Sequence, residues 1–222
     1  MSNDLKFKIS HKVTDDNSSN FTIKPLDRGY GITIGNSLRR ALLTAVPGAA
    51  ITNVKIEGAH HEFSTIDGVT EDVADIIMNL KGVRFHLFES KVEPIFLKVK
   101  GPNAFTAADI QAVSDDFTIL NPDHHITDIA KGTTLEVELR LGIGKGYKSS
   151  EENKLNNSPV GMIPIDSIFN PVTKVSFNVS PLPGAKEDTE MLSLNVTTDG
   201  SITPIDAVSS VSYTHLTLPT MS

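Results

Sequence analysis

Residues 20–26, NFTIKPL, alternate apolar and polar side chains as a half-buried strand does. The period then changes. Ile34, Leu38, Ala41, Leu42 and Ala45 recur on one helical face, and Pro47-Gly48 ends the pattern. Alternation returns over residues 51–58, ITNVKIEG, and EFSTIDGV reads as a turn carrying Asp67-Gly68. A second helix is predicted in VTEDVADIIMNLKG. Val69, Val73, Ile76, Ile77 and Leu80 share a face, Glu71 and Asp72 fall in the first turn, Lys81 in the last, and Gly82 follows as a cap. VRFHLF, PIFLKVK, DFTIL, TTLEVELRLG, KVSFNVS and MLSLNVTT read as strands, and KSSEENKLNNSP as a polar loop. No internal repeat is present, and strands outnumber helices. The expected class is α+β, mostly antiparallel sheet with two main helices.

A chain of 222 residues suits one large domain or two small ones and buries a core without covalent staples. The absence of cysteine removes disulfides and thiolate metal sites. The start, MSNDLKFKIS, has no apolar signal core, and no apolar run approaches the roughly 20 residues of a membrane helix. A formal net charge of −7 argues against a chain that neutralises nucleic-acid phosphates by itself. Tryptophan is absent and aromatics are few, so base stacking has little to work with.

Candidate chemistry starts with Gly29, Gly31 and Gly35, just before the first helical stripe. A dinucleotide fingerprint needs its third glycine three residues after the second, and here the interval is four. GIGKGYKSS lacks the Ser or Thr that follows Gly-Lys in a phosphate loop, so a flexible turn is expected. His60-His61 and His124-His125 are neighbours, and adjacent residues on a strand face opposite ways, which does not gather them on one metal. Asp115-Asp116 and Glu151-Glu152 lie in turns, and no nucleophile elbow occurs. The first helix is different. Arg39, Arg40 and Asn36 lie away from the buried stripe, with Leu43 among them and exposed in a lone chain; arginines flanking an exposed leucine suit an interface.

PLDRGYGITIGNSLRRALLTAVPGAAITNVKIEG closely resembles the N-terminal domain of the bacterial RNA polymerase alpha subunit. HEFSTIDGVTEDVADIIMNLKGV, NPDHHI, GKGY, FNPVTKVSFNV and TDGSITPIDA match the same family in order, over roughly residues 5–208. The resemblance implies a dimerisation domain built from residues 1–47 and 171–222, with residues 48–170 inserted between them as a domain that binds the large subunits. It implies a homodimer that nucleates polymerase assembly in the cytoplasm or a plastid, one copy meeting the beta subunit and the other beta-prime. No catalytic residue, cofactor or metal belongs to such a chain; nucleotidyl transfer belongs to the assembled enzyme. This portion is expected neither to bind DNA directly nor to meet a membrane. Arg40 aligns with the large-subunit surface, Lys81 with another part of it, and Ser64, Thr65, Glu71, Asp72 and Asn79 lie in the same matching segments. The apolar positions Ile34, Leu38, Leu42, Ala45, Ile205 and Val208 fall to the dimer interface. The competing reading is a nucleotide-binding enzyme using Gly29, Gly31 and Gly35.

The last residues depart from the resemblance. Thr203, Pro204 and Asp206 open a helix well, with Ile205 and Val208 on its apolar face. SVSYTHLTLPTMS then fails to match the family. The last helix is expected to be truncated or replaced, irregular after about Ser210, and to leave a weakened dimer.

Overall fold

The computed structural model describes residues 7–59, 61–88, 93–155, 157, 159–185 and 188–215, with side chains as far as Ser212. The chain opens with strands β1 (Lys8–Asp15) and β2 (Ser18–Asp27) and helix α1 (Tyr30–Thr44). There follow β3 (Pro47–Ile56), α2 (Val73–Lys81), β4 (Phe85–Leu87), β5 (Ile95–Lys100), β6 (Asn103–Thr106), α3 (Ala107–Gln111), β7 (Phe117–Ile119) and β8 (His125–Ile129). Next come β9 (Thr134–Lys145), β10 (Tyr147–Lys148), β11 (Ile163–Pro164) and β12 (Ser167–Ile168). It closes with β13 (Val172–Pro181), β14 (Thr189–Thr198) and α4 (Pro204–His215). The class is α+β with antiparallel sheets, as the pattern predicts. Two compact units result: residues 1–46 with 170–222, and residues 47–169.

In the first unit the sheet order is β1-β2-β14-β13. The two ends of the chain meet in the β2–β14 ladder, with Phe21 opposite Leu194 and Ser19 opposite Val196. Alternation places Phe21, Ile23, Leu192, Leu194 and Val196 on one buried face, covered by Leu38, Ala41 and Leu42 of α1 and by Ala207, Val208 and Val211 of α4. Strand β1, at the edge, is exposed along its whole length.

Helix α1 begins earlier than expected. Only Gly29 forms the turn, in a left-handed conformation (φ 88°) that suits glycine. Gly31 and Gly35 lie inside the helix, where a Cβ would come within 2.7 Å of Val179 Cγ1 and 2.5 Å of Phe177 Cδ2, respectively. They are helical because α1 lies almost directly on β13. Helix α4 also exceeds expectation, running past Ser210 to His215. The Ser210 and Ser212 hydroxyls donate to the carbonyls of Ala207 and Val208 within the helix, and Val211 adds a buried anchor one turn beyond Ala207. Packing supplies what serine propensity does not. Residues 216–222 lie outside the described residues.

In the second unit the main sheet is β11-β3-β9-β5. Its inner face, including Ile51, Val54, Leu97, Val137 and Leu139, packs with Val73, Ile76, Ile77 and Leu80 of α2 in one core. Phe85 and Phe117 meet edge-on in that core at 5.6 Å. GIGKGY is not a loose turn: Gly142 and Gly144 belong to β9, the Phe169 ring fills the space over Gly144, and only Gly146 turns the chain. The polar stretch after β10 is likewise pinned. Asn153, 4% exposed, donates to Ile165 O and Ser167 Oγ, while Asn53 donates to its carbonyl.

Gly35→Ala is expected to destabilise the chain by up to about 2 kcal/mol, because overpacking against Phe177, which costs about 1–3 kcal/mol, outweighs the roughly 1 kcal/mol that alanine gains in helix propensity. Denaturant unfolding of both proteins measures it; equal or higher stability of the variant would show that α1 does not need the close approach.

Candidate subunit interface

Helix α1 carries the first set of predicted residues. Its N-terminal amide of Gly31 donates to the Glu190 carboxylate at 3.3 Å. A carboxylate therefore occupies the place a phosphate would need, and the Val179 and Phe177 side chains fill the space over Gly31 and Gly35. This arrangement opposes a nucleotide cradle. Along the helix, Leu38 and Leu42 are spent inside the unit's own core, with Ile34 and Leu43 half-buried against it. The expectation of an exposed Leu43 is thus corrected: it is half-buried against a core to which α4 as well as the sheet contributes. Ala45 is half-buried and Arg39 and Arg40 are exposed. Arg40 borders a shallow groove with Ser37, Ala41, Thr44 and Ala45, and the Thr44 hydroxyl donates to its carbonyl at 2.7 Å.

The same unit has open apolar surface elsewhere. Ile9, His11, Phe21, Ile205, Val208, Ser209 and Ser212 line a groove of about 260 Å³. Of the predicted dimer residues, Ile205 is exposed at 37% and Val208 is buried except where it meets this groove. Ile9 and Val13 were missed, although FKISHKV alternates as a strand should.

The second unit carries the other predicted residues. Asp72 and Glu71 do not lie in the first turn of α2. Asp72 caps it, its carboxylate accepting from Asp75 N at 2.8 Å. Glu71 precedes the cap and accepts from the Thr127 hydroxyl at 2.5 Å and from Asp128 N at 3.0 Å. Partial burial pushes the Glu71 carboxyl up, but those two hydrogen bonds and nearby His125 outweigh it and hold the group below its ordinary range. Asn79 donates to Ile126 O at 2.8 Å, while its own carbonyl accepts from His124 Nε2. Glu71 and Asn79 thus both tie the α2 segment to β8. Lys81 pairs with Asp166 at 3.0 Å, and the hydrogen bond from Lys81 holds the Asp166 carboxyl below its usual range. The Ser64 carbonyl accepts from Val73 N, its hydroxyl lies 3.3 Å from His61 Nδ1, and Thr65 is exposed.

Phe63 and Met78, unpredicted, stand outward in these same segments at 78% and 62% exposure. A sequence signal existed for Met78, which falls off the apolar stripe of α2. The neighbouring histidines diverge as expected for His124 and His125, the first reaching Asn79 and the second Asp128. His60 lies outside the described residues. Among the described residues, no helix is long and apolar enough to cross a membrane.

Residues 54–170 match the family described as the RNA polymerase Rpb3/RpoA insert domain. The chain is similar to the DNA-directed RNA polymerase subunit alpha of Salinibacter ruber, 51% identical over 194 residues, which is 87% of this chain and 59% of that protein. The corresponding subunit of Chloroherpeton thalassium is 49% identical over 85% of this chain and 58% of its own length. That of Limosilactobacillus reuteri is 48% identical over 90% and 64%. The chain therefore spans about three fifths of the length of these relatives. Because the family match takes in more than half of the sequence, and relatives at this identity extend it into both ends, the chain belongs to the bacterial RNA polymerase alpha-subunit family.

Proposed function

We propose that this chain is a non-catalytic assembly scaffold of a cytoplasmic DNA-directed RNA polymerase and acts in transcription. The first unit pairs with a second copy of itself. Arg40 on α1 and the surface around Thr65 and Lys81 in the second unit receive the beta and beta-prime subunits. Nucleotidyl transfer belongs to the assembled enzyme. The observation that carries this reading is the division of labour along α1. Its apolar stripe is consumed by its own sheet, while its arginine face is left in water. Arginine is enriched where protein partners meet.

The dimer contact then falls on what the first unit leaves open. Leu38 and Leu42 hold α1 in place, and the groove between β1 and α4, with Ile9, Ile205 and the rim of Val208, is the apolar surface offered to the second copy. Ile34 and Ala45 contribute only their half-buried edges.

Two outcomes test this. Arg40→Ala is expected to weaken binding to the beta subunit by about 2–5 kcal/mol, as loss of a charge that becomes buried in an interface does. The stability of the chain itself should change by no more than about 0.5 kcal/mol. Wild-type affinity in a pull-down titration with purified beta subunit would remove Arg40 from the interface. Ile205→Asp is expected to shift the dimer toward monomer over a sedimentation concentration series, since a carboxylate in an apolar contact goes unpaired. An unchanged monomer–dimer balance would move the dimer contact elsewhere.

A further inference from the structure

Strand β8 does something the sequence hides. His125 and Asp128 are three residues apart, an odd interval that puts side chains on opposite faces of a regular strand. Here both are exposed, whereas Ile126 and Thr127 between them are both buried. The cause is a bulge. Against β6, Thr106 pairs with His125 and Phe105 with Thr127, so Ile126 is the extra residue. The alternation slips by one, and His125 and Asp128 come to the same side, with Nε2 and Oδ1 3.4 Å apart.

Glu71 arrives at that side from another element. The segment before α2 runs beside the end of β8, with Val69 bridged to Ile129 and Thr70 N donating to Asp128 O at 3.0 Å. The Glu71 carboxylate is then held through Oε2 by the Thr127 hydroxyl and Asp128 N. One ligand atom from each of Glu71, His125 and Asp128 lies within 4.8 Å of the others.

We infer that Glu71, His125 and Asp128 form a binding site for a divalent first-row transition cation, with Zn²⁺ as its natural probe. An imidazole nitrogen with two carboxylates suits zinc and its neighbours, and the nitrogen disfavours magnesium and calcium, which prefer oxygen alone. Zinc holds such ligands at about 2.0–2.2 Å, which puts them roughly 3.3–3.6 Å from one another; His125 and Asp128 already meet that spacing, the Glu71 carboxylate has to draw in by at most about 1.5 Å, and water completes the shell. Two carboxylates against a neutral imidazole balance the charge of the cation. The backbone bonds around Thr70 and Asp128 and the Thr127 hydroxyl orient the ligands from behind, the part outer-shell groups play at metal sites. Binding would clamp the entry to α2 onto β8. This site is independent of the scaffold role and stands or falls separately.

The test is a calorimetric titration of the full chain, stripped with chelator, with ZnCl₂ in a weakly coordinating buffer. Cobalt absorption serves as a second readout of coordination. Saturable one-to-one binding is expected, with His125→Ala and Asp128→Asn each lowering affinity about tenfold or more, since even outer-shell partners are worth that much. His11→Ala, in the other unit, should leave it unchanged. Both replaced side chains are exposed, so melting in the presence of chelator should match the wild type and show that the variants fold. Absence of saturable binding, or binding that His125→Ala leaves intact, overturns the site.

Discussion

The first unit depends on the approach of α1 to β13 at Gly31 and Gly35. Those two residues lie on the same side of the helix as Leu38 and Leu42, so the helix is lowest onto the sheet at its N-terminal half and drops its leucines into the core behind it. Arg40 is about 140° round the helix from Gly35 at 100° per residue. Its exposure is therefore fixed by the glycines: a helix that could not sit on Phe177 would have to tilt or rotate, and the arginine face would turn with it. The Glu190 carboxylate, reaching Gly31 N from β14, anchors the same end and complements the positive end of the helix dipole.

A second constraint is the long connection. The β2–β14 ladder joins residues from opposite ends of the chain, with everything from β3 to β12 between them. Loop closure costs grow only with the logarithm of loop length, and the intervening residues 47–169 have their own core. An insert that satisfies itself places little burden on the ladder that encloses it. Alternation runs unbroken through Phe21 and Ile23 and through Leu192, Leu194 and Val196, which sets register there, because a slip of one residue would turn Phe21 and Leu194 to solvent; the ladder is irregular only beyond, between Glu190 and Leu192.

Strands β2, β5, β9, β13 and β14 were legible because one face of each is buried and the period of two survives in the residues. Strand β1 also alternates, yet it stood unread beside stronger signals. The start of α1 was misread for a physical reason. Glycine ordinarily disfavours helix, and only the nearness of Phe177 and Val179, many residues away, explains two of them inside one. The extent of α4 failed similarly, since propensity cannot register the burial of Val211. The buried Asn153 within a run of polar residues gave no warning, because its partners Ile165 and Ser167 are brought to it by the sheet. Most opaque was the β8 bulge, which depends on the pairing with β6.

The candidate interface shows where resemblance and geometry part. Besides Arg40, segment matching names Ser64, Thr65, Glu71, Asp72, Asn79 and Lys81, and all six sit in α2 or in the segment leading into it. Yet Asp72 caps the helix and Glu71 and Asn79 spend hydrogen bonds on β8. Phe63 and Met78 project outward from the same stretch. A polar residue that holds an interface helix in position and one that touches the partner impose the same demand on sequence: neither tolerates exchange. What separates them is the direction of the side chain. Removing a capping or anchoring group acts on the partner only through displacement of the helix, so its effect must also appear in the stability of the free chain. Removing an outward side chain leaves that stability nearly untouched. The two kinds of residue are thus distinguishable by comparing folding with assembly, even where a sequence motif contains both.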